Sequence, residues 1–506
     1  MSPILASRLA HQAFYHSHKG SLHGIDIFAG GEGHTRPQMS IFCGINGSGK
    51  SVGVQGLLTQ SDPYADVTVV IDIGNSHGDF IKVISEGQSE SLVIEVGSRH
   101  TVNYLDPSGL PFNGKHLHSV VSTAHAMAGE KRDEDANRLR AALLEDCFLQ
   151  FFSSWQQDWL QQKHSRRKGL ILILASLRCF TGKWDFGERL VEDYMRYRDE
   201  CQGGGEALLS ISDDDLQSEI KDIEAGGAER DLMALSFTRM SREEMPTHRD
   251  FCHWLGEHRQ TLDCDPKEMQ NLLTLLKVWC AGGSKGKLFD GVNTIDLNAK
   301  YVHIELGRIG EGGSTLKAIA SYVIASKVRD AMMLRPRRER KRVVIEEIGG
   351  FAGMQGGEEI LKDFFERGRK YNIWTCAIIQ QVSSLPEKLS RSVLGNCRLG
   401  WFCRQSEERD LKTLQSIFNL PDAALDMIRN FPEPNLEHGA PFLCYEDLGG
   451  GRKRLTPCFD LATPEMLYLS GSSGEHYEER QKALAACDDP TEAVLSEVGQ
   501  ASAQPG

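Results

Sequence analysis

The segment Gly44–Ser51, GINGSGKS, fits G-x-x-x-x-G-K-[ST], with the apolar run Met39–Cys43 directly before it and the helix-like stretch KSVGVQGLLTQ directly after. This context commits the surrounding chain to strand, tight loop and helix, the setting in which such a loop closes around phosphate. Gly44, Gly47 and Gly49 let the backbone curl so that its N–H groups converge on an anion. Lys50 brings a mobile positive charge for the β- and γ-phosphates, and Ser51 a hydroxyl for Mg2+. Asn46, Ser48 and Val52 complete the loop and first helical turn, whose N-terminal dipole favours anions. ATP with Mg2+ is the expected ligand pair.

Around this loop the chain alternates short apolar runs with turns. Ile25–Ala29, Val67–Asp72, Leu92–Val96, Tyr301–Leu306, Val343–Ile345, Trp374–Ile379 and Leu399–Cys403 read as strands, with Phe442–Tyr445 as one more. Their continuous rather than alternating apolar character marks strands buried on both faces, as in a parallel sheet covered by helices. A long helix is expected over about Ser314–Leu334. From Gly114 to Gly283 the sequence changes to amphipathic helical patterns with few strand signals. The fold class is therefore α/β, with a mostly parallel central sheet flanked by helices and a mostly helical insertion.

Binding alone is not hydrolysis, which needs an acid at the tip of a neighbouring strand. Two strands end in acids, VVID (Val69–Asp72) and VVIEE (Val343–Glu347). The second has the form in which the first acid helps hold Mg2+ and the second polarises the attacking water. Glu346 is the expected magnesium ligand and Glu347 the expected base. The following strand delivers Gln380, placed to sense the γ-phosphate or orient water.

Composition narrows the partners. A formal net charge of −13 argues against a protein that coats nucleic acid, because phosphate neutralisation needs surplus Lys and Arg. The basic runs Arg335–Arg342 (RPRRERKR) and Lys163–Lys168 read as solvated loops. The 13 cysteines form no C-x-x-C pair. Cys252-His253 followed by Cys264 comes nearest to a metal cluster, but lacks a second close-spaced pair and reads as ordinary thiols in a reducing cytosol. The start, MSPILASRLAHQ, has no signal-peptide core. Gly169–Leu177 (GLILILASL) is about half a membrane span and reads as a buried helix.

Taken in order, these segments resemble the conjugative-transfer and type IV secretion ATPases of the VirB/TraC kind, within the RecA-like hexameric motors that include the FtsK and HerA pumps. The resemblance runs from about Ile25 to Asn430. It lies in GINGSGKS, VVIDIGNSHGDF with a later NYLDP, KGKLFDGVNTIDLNAKYVHIELGRI, VVIEEIGGF, GRKYNIWTCAIIQQ and SVLGNCRLGWFCRQ. It implies a RecA-like P-loop NTPase in parts, 1–113 and 284–469 as two portions of the ATPase domain and 114–283 as the insertion; beyond it, the polar composition of 470–506 reads as a flexible tail with one or two weak helices and an unstructured QASAQPG end. Lys50 and Ser51 would hold phosphate and Mg2+, Glu347 would activate water and Gln380 would sense the γ-phosphate. An arginine from the adjacent subunit, Arg369 or Arg404, would complete the site.

The resemblance also implies a cytoplasmic homo-oligomer, a hexamer, working with secretion or conjugation machinery at the inner membrane and held there through partners. Glu346 stands where the family commonly has Asp, IGGF where Ala-Trp is usual, and Ile379 where Thr commonly precedes the sensor glutamine. Family members generally carry a large N-terminal docking domain, whereas about forty residues precede this P-loop. Either that domain is a separate polypeptide partner or the chain is a truncated or divergent relative. Two alternatives stand beside the secretion motor: a DNA-pumping translocase of the FtsK or coupling-protein kind, and a nucleotide-gated scaffold with little turnover.

Overall fold

The computed structural model describes residues 11–503 apart from 29–36, 95–99, 132, 163, 183–188, 202–211, 263, 284, 313, 347, 349–355, 436, 471–474 and 488. The apolar runs assemble into one eleven-stranded sheet. In chain order the strands are β1 Ala13–Ser17, β2 Leu22–Ile25, β3 Ser40–Cys43, β4 Val67–Asp72, β5 Glu90–Val93 and β6 Tyr301–Glu305. They continue with β7 Lys341–Glu346, β8 Ile373–Ile379, β9 Leu399–Phe402, β10 Ala440–Gly449 and β11 Arg452–Asp460. Their order across the sheet is β2-β1-β11-β10-β9-β3-β8-β7-β4-β6-β5. From β9 to β5 all neighbours are parallel, and from β10 to β2 the pairing is antiparallel.

Every residue of β3, β4, β6 and β8 is buried, as strands covered on both faces require. Helix α1, Lys50–Ser61, follows β3, and α2, Gly78–Ile84, follows β4. The chain then leaves the centre of the sheet and returns much later to flank β3 with β8 and β9. That reversal opens a crevice at the carboxyl ends of the strands, the usual ligand position in open α/β sheets. The acid-bearing β7 stands one strand away from β3, with β8 between them. Strands β1 and β11 were not expected from the sequence, and the strand expected to begin at Ile25 instead ends there, as β2.

Between Gly114 and Gly283 the named elements are all helical among the described residues. They include α3 Glu134–Gln162, α4 His164–Thr181, α5 His248–His258 and α6 Pro266–Lys277. Helix α4 buries Leu170, Ile173, Leu174 and Leu177, so GLILILASL is a core helix. Helix α5 starts at a capping box, in which the Thr247 side chain accepts from Asp250 N and Asp250 accepts from Thr247 N at 2.8 Å. It packs through Phe251, stacked 3.9 Å from Phe148 of α3. The insertion is followed, beyond β6, by α7, Ser314–Leu334.

The polar end segment, where one or two weak helices were expected in a flexible tail, contributes α8, Glu475–Ala486, and α9, Pro490–Ala503. Helix α8 is fastened to α2: Arg480, buried to 1% exposure, donates to Asp79 at 2.7 Å, and Gln481 donates to the same carboxylate oxygen at 2.7 Å.

Candidate functional site

The P-loop is sewn to both neighbouring strand tips. Gly44 N donates to Ile379 O of β8 at 3.3 Å, and Ile45 N donates to Arg404 O beyond β9 at 2.9 Å. A Cβ at Gly44 would lie 2.7 Å from Ser48 Oγ and 2.8 Å from Cys403 Cβ, so only glycine allows this approach. Gly49, at φ +90°, caps α1 in a left-handed conformation that side chains disfavour. Asn46 and Gly47 are exposed at the loop's crest. Ser48 Oγ and Lys50 Nζ both donate to Ile45 O, at 2.7 and 2.9 Å. Ser51 and Val52, half-buried, form the first turn of α1. These backbone positions make a cradle whose N–H groups and helix terminus suit phosphate.

On the same edge of the sheet the tips of β4, β6 and β7 converge. Asp72 Oδ2 accepts from His77 N at 2.7 Å and from His303 Nε2 at 2.9 Å. Glu346 Oε2 accepts from Ile73 N at 3.2 Å, and its other oxygen lies 3.9 Å from His77 Nε2. Glu305 accepts from Gly74 N at 3.1 Å and Asn75 N at 2.5 Å. Gln55 of α1 donates to Ser76 O at 3.0 Å, which ties the P-loop helix to the loop carrying this network.

Three carboxyl groups so close cannot share one ionisation state. Burial, then the neighbouring Asp72, push Glu346 well above the usual carboxylate range. Burial and Asp72 also raise Glu305, against its backbone N–H bonds. Burial works against the charge of Asp72, yet the His303 bond, His77 and Glu346 hold it far below its ordinary value. Burial lowers His77, which favours the neutral ring. The donors fit Mg2+, which takes oxygen ligands. Glu346 and Asp72 stand at adjacent strand tips, and Asp72 Oδ1 is buried with no hydrogen-bond partner among the described residues.

The remaining sequence candidates divide. Gln380 directly follows β8 on the P-loop edge; its side chain is exposed and its carbonyl accepts from Gln405 Nε2 at 2.9 Å. Arg404 also lies on this edge, beside its own subunit's P-loop, and pairs with Glu433 at 3.0 Å. Arg369 sits in the turn Gly368–Tyr371 that enters β8, at the opposite edge. Glu347 lies outside the described residues. Asp72, His77, His303, Glu305 and Gln405 had no assigned role in the sequence reading. Two signals were present: the acid ending VVID, and a histidine and a glutamate inside the otherwise apolar YVHIEL.

No protein-family model matches the chain, and no curated protein sequence matches it. Among solved structures, VirB4 of Thermoanaerobacter pseudethanolicus aligns over 90% of this chain and 98% of its own, with TM-score 0.63 and 16% identity. The fold is that of VirB4. The plasmid coupling protein TrwB, solved in complex with ADP and Mg2+, aligns over 84% of this chain and 86% of its own, with TM-score 0.44 and 14% identity.

Proposed function

We propose that this chain is an ATP-hydrolysing motor that energises conjugative DNA transfer or type IV secretion. The observation that carries the reading is the strand order. It sets the P-loop strand β3 beside the glutamine-bearing β8, with the acid-bearing β7 next, in a fold shared with VirB4 over nearly the whole of both chains.

In this reading the backbone of Gly44–Gly49 and Lys50 hold the triphosphate, with Asn46 and Ser48 shaping the loop. Ser51 and Glu346 are the Mg2+ ligands, and Asp72 steadies Glu346. Mg2+, when bound with nucleotide, would supply neutralisation of the phosphate charge. The Glu347 carboxylate takes the proton of the attacking water, and Gln380 orients that water at the γ-phosphate. An arginine supplied by the neighbouring subunit of a hexamer would neutralise charge that develops on the phosphoryl group. No helix of the described residues is long and apolar enough to cross a membrane, so the reading assigns contact with the inner membrane to partners.

Turnover is the test. Wild-type specific activity should rise with protein concentration as subunits assemble, and Lys50→Ala should abolish it at every concentration. A Lys50→Ala variant that hydrolyses ATP at the wild-type rate overturns the proposal.

A further inference from the structure

Away from the P-loop, where the helical insertion rejoins the sheet, His248, Cys252 and Cys280 bring ligand atoms to within 4.8 Å of one another. His248 and Cys252 are four residues apart on α5 and share one face of it. Cys280 arrives just beyond the end of α6. Cys252 Sγ lies 3.5 Å from His248 Nε2. Bonds of about 2.3 Å to sulfur and about 2.0–2.1 Å to nitrogen, at a tetrahedral angle, put two ligands of one zinc ion about that far apart. Two sulfurs and an imidazole nitrogen are the donor set of a thiophilic divalent cation.

The surroundings agree. His248 and Cys252 are buried, and Cys280 is half-buried. The other ring nitrogen, His248 Nδ1, is 2.8 Å from the buried Tyr104 hydroxyl, the kind of outer partner that fixes a metal-bound imidazole. Asp290 is buried beside both thiols, its carboxylate held by Arg249 N at 2.8 Å and Ala281 N at 2.5 Å. Its negative charge opposes a pair of bare thiolates and favours a cation between them. The sequence had drawn attention to Cys252-His253 and Cys264, but His253 is exposed and pairs with Glu257 at 3.4 Å.

We propose that His248, Cys252 and Cys280 bind one zinc ion, with water at the fourth position on the half-exposed side of Cys280. Loading releases two protons, one from each thiol, so two thiolates balance the charge of the ion. Without the ion, His248 Nε2 donates to Leu276 O at 2.9 Å; on loading, that proton is taken up at Nδ1 and donated to the Tyr104 oxygen, and the Leu276 carbonyl gives up its bond so that the Nε2 lone pair reaches the metal. The ion would join Tyr104, which precedes the insertion, to α5 within it and to Cys280 at its exit.

The test uses the full chain, kept reduced and titrated with Co2+ alone. One equivalent should bind with the intense thiolate-to-cobalt charge-transfer absorption, and Zn2+ should displace it. Cys252→Ser and Cys280→Ser should each lose the absorption, while Cys264→Ser keeps it; circular dichroism establishes that the variants are folded. If either serine variant does not fold, the wild-type titration decides alone. A reduced wild-type chain that gives no cobalt–thiolate absorption, or thiols that close into a Cys252–Cys280 disulfide in preference to taking metal, overturns the proposal. So does an absorption that survives both serine substitutions.

Discussion

The two edges of the parallel sheet are built to different standards. At the amino edge, Arg342 is fully buried and fully bonded: it donates to Thr68 Oγ1 at 2.9 and 2.6 Å, Leu58 O at 2.6 Å, Ser61 Oγ at 2.8 Å and Asp62 Oδ1 at 2.6 Å. Its neighbour Lys341 donates to Tyr371 O at 2.8 Å and Arg335 O at 3.1 Å. At the carboxyl edge, Gln55 Oε1, Asp72 Oδ1, both ring nitrogens of His77, Gln405 Oε1 and Asp460 Oδ2 are buried without a hydrogen-bond partner among the described residues. Each such group costs about 1–3 kcal/mol. A fold tolerates that cost where a ligand or a reaction supplies the partner, so the sheet is fastened at one edge and left open for chemistry at the other.

The largest effect that would sharpen this contrast concerns the two arginines. Arg369 belongs to the fastened edge, away from its own P-loop, so under the proposed function it would act only on a neighbouring subunit's site, whereas Arg404 stands beside its own P-loop. Arg369→Ala is expected to slow assembled turnover by roughly 10³–10⁵ while leaving ATP affinity of the dispersed subunit unchanged. Arg404→Ala is expected to weaken that affinity directly. Paired nucleotide-binding titrations and turnover assays separate them; equal behaviour would break the contrast.

Arg342→Ala, next in size, should cost about 3–5 kcal/mol of unfolding free energy, because it strands Asp62 and the carbonyl end of α1. Chemical denaturation measures it, and a loss below about 1 kcal/mol would show that the amino edge is not what fastens the P-loop helix.

Asp460 gives the smallest effect. Its carboxyl lies against Gly53 and Gly56 of the P-loop helix, and burial pushes it up to about 7. The native state therefore holds a proton that the unfolded chain, with an ordinary Asp near 3.9, has already lost. Its contribution is fully present below about pH 4 and fades as pH rises through 7. Asp460→Asn should remove about 1 kcal/mol of the stability difference between pH 6 and pH 8. Thermal unfolding at the two pH values checks it.

The sequence made the centre of the sheet readable because its signals are local. Val67–Asp72 is strand at both expected limits, and Ser314–Leu334 is helix at both. What stayed hidden depends on contacts across the chain. The basic run ending at Arg342 reads as solvated, yet its last two residues are buried, and the acid that satisfies Arg342 is 280 positions away. Strand β11 opens with RKR, against the strand pattern, and is held by pairing with β10 and β1. The polar end of the chain reads as a tail because the acid that buries Arg480 is Asp79, 401 positions earlier. In the site, Lys50 and Glu346 were legible as motif members. The His77–His303–Glu305 setting was not, since it exists only where three strand tips meet.

One measurement bears most directly on the carboxyl edge as an engine: ATP affinity and turnover determined together on Glu347→Gln. Wild-type affinity with turnover reduced by about 10²–10⁴ is the expected result, since the triphosphate cradle stays whole and only the proton acceptor is lost. Turnover at the wild-type rate would contradict it, because the second acid of the VVIEE segment would then take no part in hydrolysis.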